Sequence, residues 1–537
     1  ATENVLNSAT STTNIKNLTV AAGDGEDDNR TVSLGSLNGG TTLDSLTLTT
    51  GDDTGDTLST GNITAANLQT LTITADEADL TVGTFASAGE LKTLTIGNLD
   101  SASDGNITIG AIGAGSAADE MTSFTVATSG SSTEGTTVLD MDDIDAEGAT
   151  FTTFSVDLNG TYGASDIDTI TADVIGDISL VTGEDGTSLA VEQFLVGVGE
   201  DTSSVGNVTI TSGTAFDGLA GFITTGTDGT VGNISITSEG ATTIADGANE
   251  EAITDAVTVG DITLNVTDDA GSITLGDFAD ATTIGNVSFT GTGSIDWDGA
   301  PVATTIGNIS GSVADGETVD LTGDAQTLGT TDGVMGTTTV TGDGTFNMDV
   351  GAVATLGNID LSGMSDDATT SIALNNSTAV GVIYTGSEGS DTFTGTGGGD
   401  TINPGLGVDT ITGGDGADNI TITEATQSAD TIVLTDNDSA DTITGFTVSD
   451  VIAFSVAEYA AETAGVLRDS AGVAADVDAI DVHLISDGDT DAAGVVDATA
   501  NVIFFTDTDI NSFSDFTFSV ELDANSGNAA DGIIAVF

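Results

Sequence analysis

The chain has 537 residues, of which 85 are Asp or Glu and four are Lys or Arg, for a formal charge of −81. Repulsion excludes nucleic acid and anionic membrane as partners, and the lack of cysteine excludes disulfides and thiolate metal sites. With 38% hydrophobic residues a core can form, but Lys16, Arg30, Lys92 and Arg468 cannot pair so many carboxylates, so the folded state is expected to take its counterions from solution, as metal or salt.

Ala1 to Val20 carries no signal-peptide pattern. No run approaches the ~18 apolar residues of a membrane helix, so the protein is expected not to be membrane-inserted. Short alternating runs of Thr, Val, Ile and Leu follow, among them "LTLTT" from Leu46, "LTIT" from Leu71 and "NITIG" from Asn106, each bounded by Gly, Asn or Asp. These are strand signals. Between them lie acidic clusters, "DGEDDN" from Asp24 and "DMDDIDAEG" from Asp140, which read equally as solvated loops or as calcium sites.

From about residue 161 a second pattern takes over, apolar-Gly-Asn/Asp-apolar-x-apolar, as in "IGDISL" from Ile175, "VGNVTI" from Val205, "VGNISI" from Val231, "VGDITL" from Val259 and "IGNVSF" from Ile284. Successive copies from Ile175 to Ile306 lie 22 to 30 residues apart, with a longer gap before "LGNIDL" from Leu356. That period suits a solenoid whose coils bury their apolar faces on one another. Hairpins of β-sandwiches sharing one turn type would fit as well. In either case Gly is expected to supply φ > 0 and Asn or Asp to bond its own backbone.

Past residue 381, Asp391, Asp400, Asp409 and Asp418 stand at a nine-residue interval within GSEGSDTFT, GTGGGDTIN, PGLGVDTIT and GGDGADNIT, and Phe393, Ile402, Ile411 and Ile420 follow them two positions later. Six residues make a turn and three a short strand, so eighteen close a coil that stacks Asp391 beside Asp409 and Asp400 beside Asp418. Carboxylates and glycine-exposed carbonyls then form an all-oxygen cage, which suits Ca²⁺ rather than zinc. The candidate ligand-bearing residues are Gly386, Glu388, Gly389, Asp391, Gly395, Gly398, Asp400, Gly405, Gly407, Asp409, Gly413, Gly414, Asp415, Gly416 and Asp418, with Asp430 and Asp441 in a degraded continuation ("ADTIVL" from Ala429, "ADTITGF" from Ala440 and "SDVIAF" from Ser449).

These nonapeptides resemble RTX repeats, the calcium-binding β-roll of bacterial proteins exported by type I secretion. The resemblance covers Gly386 to Thr421; Pro404 replaces a template Gly and Leu406 an ordinarily polar residue. It implies several bound Ca²⁺, a roll that folds only outside the cell, the type I secretion apparatus as a partner, and an export signal in the last segment, which ends "NAADGIIAVF". That segment holds "SVAEYAAETAGVLRD", Ser455 to Asp469, expected to be a short helix, and "DGDTD" from Asp487, which looks like half a calcium loop.

An enzyme is not expected. His483 is the only histidine and sits in an apparent strand, Trp297 is the only tryptophan, and basic residues are scarce. Composition and the roll together resemble the surface-layer proteins of Gram-negative bacteria, of the Caulobacter and marine gammaproteobacterial kind. The expected fold is all-β, a multidomain β-solenoid or β-sandwich-like chain with a C-terminal calcium-binding parallel β-roll. Its domains are 1–160, a β domain that could anchor to surface polysaccharide or lipopolysaccharide; 161–380, solenoid-like; 381–454, the roll; and 455–537, with the helix and the export signal. The expected function is a secreted, self-assembling, calcium-dependent surface lattice, or else a calcium-rigidified adhesin or biofilm-matrix protein.

Overall fold

The computed structural model describes residues 4–6, most of 15–454, and the strands 482–486, 502–506, 517–521 and 534–536; the longest intervals set aside within 15–454 are 128–137 and 323–332. The expected helix at 455–469 and the acidic clusters near Asp24 and Asp487 lie outside the described residues. Among the described residues the protein is all-β, without a helix, and its strands pair in parallel except for Ala440–Thr444 against Thr517–Glu521. Parallel coil-on-coil pairing settles the architecture as a β-solenoid rather than a sandwich of hairpins. Contacts divide the chain into two units, Ala1–Ala303 with Gly323–Gln326, and Thr304–Thr322 with Thr327–Phe537.

In the first unit, alternate residues of each strand point inward and stack on their counterparts in the next coil. One column brings Leu46, Leu71, Leu94, Phe124, Phe154 and Ile178 into register. A second aligns Leu58, Leu80, Ile107 and Leu139. The third runs through Ile63, Phe85, Ile112, Ile144, Ile170, Phe194 and Ile223. The columns meet in a continuous interior: Phe124 stacks on Phe154 at 4.4 Å, and Phe154 meets Phe194 edge-on at 5.1 Å. Trp297 belongs to this core, 1% exposed, its indole N–H donating to the Gly276 carbonyl at 3.2 Å. The boundary expected at residue 160 falls inside the unit, since Ile144–Leu158 and Ala164–Thr182 pair along most of their length and coil stacking already operates from Asn17–Ala21.

The Gly-Asn/Asp turn works differently from the sequence expectation. Gly176, Gly206, Gly232, Gly260 and Gly285 do not have positive φ. They are glycine because coils touch there: a Cβ on Gly206 would strike the Gly176 carbonyl, and one on Gly232 the Gly206 carbonyl. Nor do the Asn and Asp side chains bond their own backbone. Asp177 Oδ1 accepts the Asn207 amide at 2.9 Å, Asn207 Oδ1 that of Asn233 at 3.1 Å, Asn233 Oδ1 that of Asp261 at 2.9 Å, and Asp261 Oδ1 that of Asn286 at 2.7 Å. Each side chain reaches forward and caps an amide in the following coil. Asn233→Ala is expected to cost about 0.5–1 kcal/mol, because an exposed hydrogen bond is lost while water can replace it. Faster hydrogen exchange at the Asp261 amide, with little change at Asn207, would register it.

The second unit opens with similar coils, in which Thr338 pairs with both Ile309 and Ile359, and then narrows. From Ile383–Thr385 onward two strands make a coil. One sheet aligns Ile359, Tyr384, Ile402 and Ile420; the other aligns Ile372, Phe393, Ile411 and Ile432. Loss of the third side is what shortens the coil to the 18-residue spacing that separates Asp391 from Asp409 and Asp400 from Asp418.

Candidate metal centre

Each coil of the roll has two turns, so the template aspartates form two columns. Asp391, Asp409, Asp430 and Asp450 make one, Asp400, Asp418 and Asp441 the other. Asp391, Asp400, Asp409, Asp418, Asp430 and Asp441 are at most 3% exposed. Six buried carboxylates in one small roll, with no Lys or Arg between residues 93 and 467 of the sequence, would be prohibitive unless backbone amides or cations meet them. Amides meet one oxygen of each. The Asp391 amide donates to Asp409 Oδ1 at 2.9 Å, Asp400 to Asp418 at 2.8 Å, Asp409 to Asp430 at 3.0 Å, Asp418 to Asp441 at 3.0 Å, and Asp430 to Asp450 at 3.1 Å. Here the side chain reaches backward, opposite to the Asn ladder of the first unit.

The second oxygen varies. Asp391 Oδ2 accepts the Ser387 amide at 2.6 Å, and Asp400 Oδ2 the Thr396 amide at 2.7 Å. Asp418 Oδ2 is buried with no hydrogen-bond partner. Burial, reinforced by the charges of Asp441, Asp400 and Asp415, pushes the Asp418 carboxyl up to about 7, although the Asp400 amide opposes this. Burial likewise raises Asp391 and Asp400 from the ordinary carboxylate value, against the hydrogen bonds each accepts. Tyr384, wholly buried beside Asp391 and stacked on Phe393 at 4.0 Å, is raised well above the ordinary phenol value, chiefly by burial.

The glycines complete the cage. Gly405, Gly407, Gly414 and Gly416 have φ between +95° and +113°, a region closed to residues with a Cβ. A Cβ on any of them would collide with a carbonyl of the preceding coil, respectively Ser387, Gly389, Thr396 and Gly398. Gly386 and Gly395 are similarly pressed on the Pro404 and Gly413 carbonyls, and Gly413 on Asp418 Oδ2. Gly389 sits against the Ala368 carbonyl. Of the predicted ligand carriers, Glu388 and Asp415 are exposed and stand at the rim of the columns. The donor set is thus all oxygen, with the buried Asp418 Oδ2 unsatisfied and carbonyls crowded where only glycine fits. These residues fit a hard divalent cation such as Ca²⁺. Asp450, which the sequence placed in the degraded continuation without marking it as a ligand, stands two coils after Asp409 in its column. Sequence reasoning missed the hydroxyls of Ser387 and Thr396, which replace the second glycine of their nonapeptides, and that of Thr370, which precedes the repeats.

A second acidic group lies on the first unit. Carboxylate oxygens of Asp143, Asp168 and Glu192 come within 4.8 Å of one another at the surface, and Asp143 belongs to the cluster noted from Asp140. Burial and the charges of Asp166, Glu192, Asp143 and Asp142 raise the Asp168 carboxyl. Lys16 and Lys92 make exposed ion pairs, with Asp44 at 3.3 Å and Glu120 at 4.0 Å, which contribute little. His483 lies in the strand Val482–Ser486, in register with Ile503. Set against protein-family models, curated proteins and solved structures, the chain matches none.

Proposed function

We propose that this protein is a secreted structural protein of a Gram-negative cell surface, which folds its roll on Ca²⁺ and assembles with copies of itself into a surface lattice. The buried, unsatisfied carboxylate oxygen of Asp418 within an all-oxygen cage carries the calcium part of the reading. Bound calcium would neutralise the two aspartate columns and hold adjacent coils together through carbonyls on one and carboxylates on the next.

The lattice part rests on charge. With 85 acidic and four basic residues, two copies can approach only with cations between their surfaces, so divalent ions would set both folding and assembly. Surface polysaccharide or lipopolysaccharide would be the anchor, and the type I apparatus the route of export. Adding millimolar Ca²⁺ to the purified protein and imaging it by electron microscopy tests the reading: ordered two-dimensional sheets that dissolve in chelator are expected. Separate rods at every calcium concentration would refute the lattice and favour a rigid adhesin.

A further inference from the structure

We infer that the first tier of the roll, Asp391 and Asp400, is a metal-free lid, and that calcium enters the ladder only from the second tier, at Asp418 and its neighbour column. The inference rests on the calcium reading above and assigns different tasks to residues that the repeat makes look equivalent.

In the first tier both oxygens of each carboxylate are engaged by the protein. Asp391 accepts the amide and hydroxyl of Ser387, at 2.6 and 2.9 Å, and the hydroxyl of Thr370. Asp400 accepts the amide and hydroxyl of Thr396, at 2.7 and 2.8 Å, and the amide of Val382 at 2.7 Å. Three donors fill three of the roughly four acceptor sites of each carboxylate, and they leave neither oxygen orphaned. One tier deeper, the position four residues before the aspartate changes from Ser387 and Thr396 to Gly405 and Gly414. The hydroxyl is gone. The backbone also turns over, to φ +104° and +95°, and Asp418 Oδ2 is left without a donor.

The first tier meets the one below it through its backbone. The carbonyls of Ser387, Gly389, Thr396 and Gly398 stand where a Cβ on Gly405, Gly407, Gly414 or Gly416 would be, so the two tiers touch backbone to backbone, and the Leu406 amide donates to the Ser387 carbonyl at 3.0 Å. The lid is also continuous with metal-independent structure. Thr370 and Ile372 pair in register with Asp391 and Phe393, and the Tyr384 ring covers Phe393. This tier therefore folds as the last coil of the solenoid and presents a finished edge on which calcium-dependent coils are laid.

The test uses the full-length chain, with bound Ca²⁺ counted by native mass spectrometry and amide exchange followed in chelator. Asp418→Asn is expected to lose one ion relative to the wild type, whereas Asp391→Asn and Asp400→Asn keep the wild-type count. In chelator, the amides of Val382, Ser387 and Thr396 should stay protected, and Thr396→Gly, which keeps the amide but loses the hydroxyl bonded to Asp400, should weaken protection at 396 without lowering the count in calcium. Loss of an ion in Asp400→Asn while the wild type binds calcium would overturn the lid alone. So would free exchange of those three amides in chelator, even if an Asp variant fails to fold. A wild type that binds no Ca²⁺ would remove the calcium reading itself, and the lid with it.

Discussion

Withdrawal of calcium at low ionic strength is expected to release amide protection in the strands Thr410–Thr412, Asn419–Thr421 and Thr431–Leu434 while strands such as Val208–Ser212, Ile234–Ser238 and Ile262–Val266 keep theirs. The difference follows from what each coil buries. Those strands place Val208, Ile210, Ile234, Ile236, Ile262, Leu264 and Val266 in the core, two or three apolar side chains apiece, each contributing about 1.5–3 kcal/mol. The strands Thr410–Thr412 and Asn419–Thr421 bury Ile411 and Ile420 alone, against conformational entropy of ~1–2 kcal/mol per ordered residue, and they add buried carboxylates besides. Without cations that balance is unfavourable; with them the carboxylates become the bond between coils. Hydrogen exchange measured by mass spectrometry in calcium and in chelator decides the matter. Equal protection of those three roll strands in both would contradict a metal-dependent roll.

The sign of the pH dependence is expected to reverse with calcium. In the metal-free roll the Asp418 carboxyl, facing Asp441, Asp400 and Asp415, is pushed up to about 7 from an ordinary value of 3.8. Folding then favours the protonated form, so the stability it confers is complete below about pH 4 and is lost as pH rises through 7. Asp391 and Asp400 are shifted in the same direction. Acidifying the chelated protein from pH 8 to 5 should therefore strengthen protection in the roll. In saturating calcium the same acidification should weaken it, because protons compete with the ion for the carboxylates. Denaturant titrations followed by exchange at Asn419–Thr421, at both pH values with and without calcium, measure it; parallel slopes in the two conditions would rule the mechanism out.

The roll was legible because its spacing leaves one solution. A nine-residue Asp interval with an apolar residue two positions on fixes an eighteen-residue coil, and the observed registers Phe393 with Ile411 and Ile402 with Ile420 follow. The N-terminal solenoid was harder to see because its strands are joined by segments of unequal length, so Leu94 to Phe124 takes 30 residues where Leu71 to Leu94 takes 23. Its order lies in the columns rather than in the period. Glycine misled in the other direction: Gly206 and Gly414 look alike in sequence, yet one answers a close neighbouring carbonyl at ordinary φ and the other needs φ +95° as well. Thr370 was invisible because it acts on Asp391 from the preceding coil, 21 residues away, outside any repeat template.

The opposed reach of the two side-chain ladders bears on how the gene can grow. From Asp177 to Asn286 each coil caps the next, and among the aspartates of the roll each coil caps the one before, so duplicating or deleting a whole coil inside either array reproduces the same joint. Between Ile359 and Asp391 the two rules meet, and the backward rule is already in force where the Val382 amide donates to Asp400 Oδ1 across the same 18 residues that separate Asp391 from Asp409. A coil added or removed inside either array would leave its joints unchanged, whereas one added or removed at the seam would have to satisfy both rules at once.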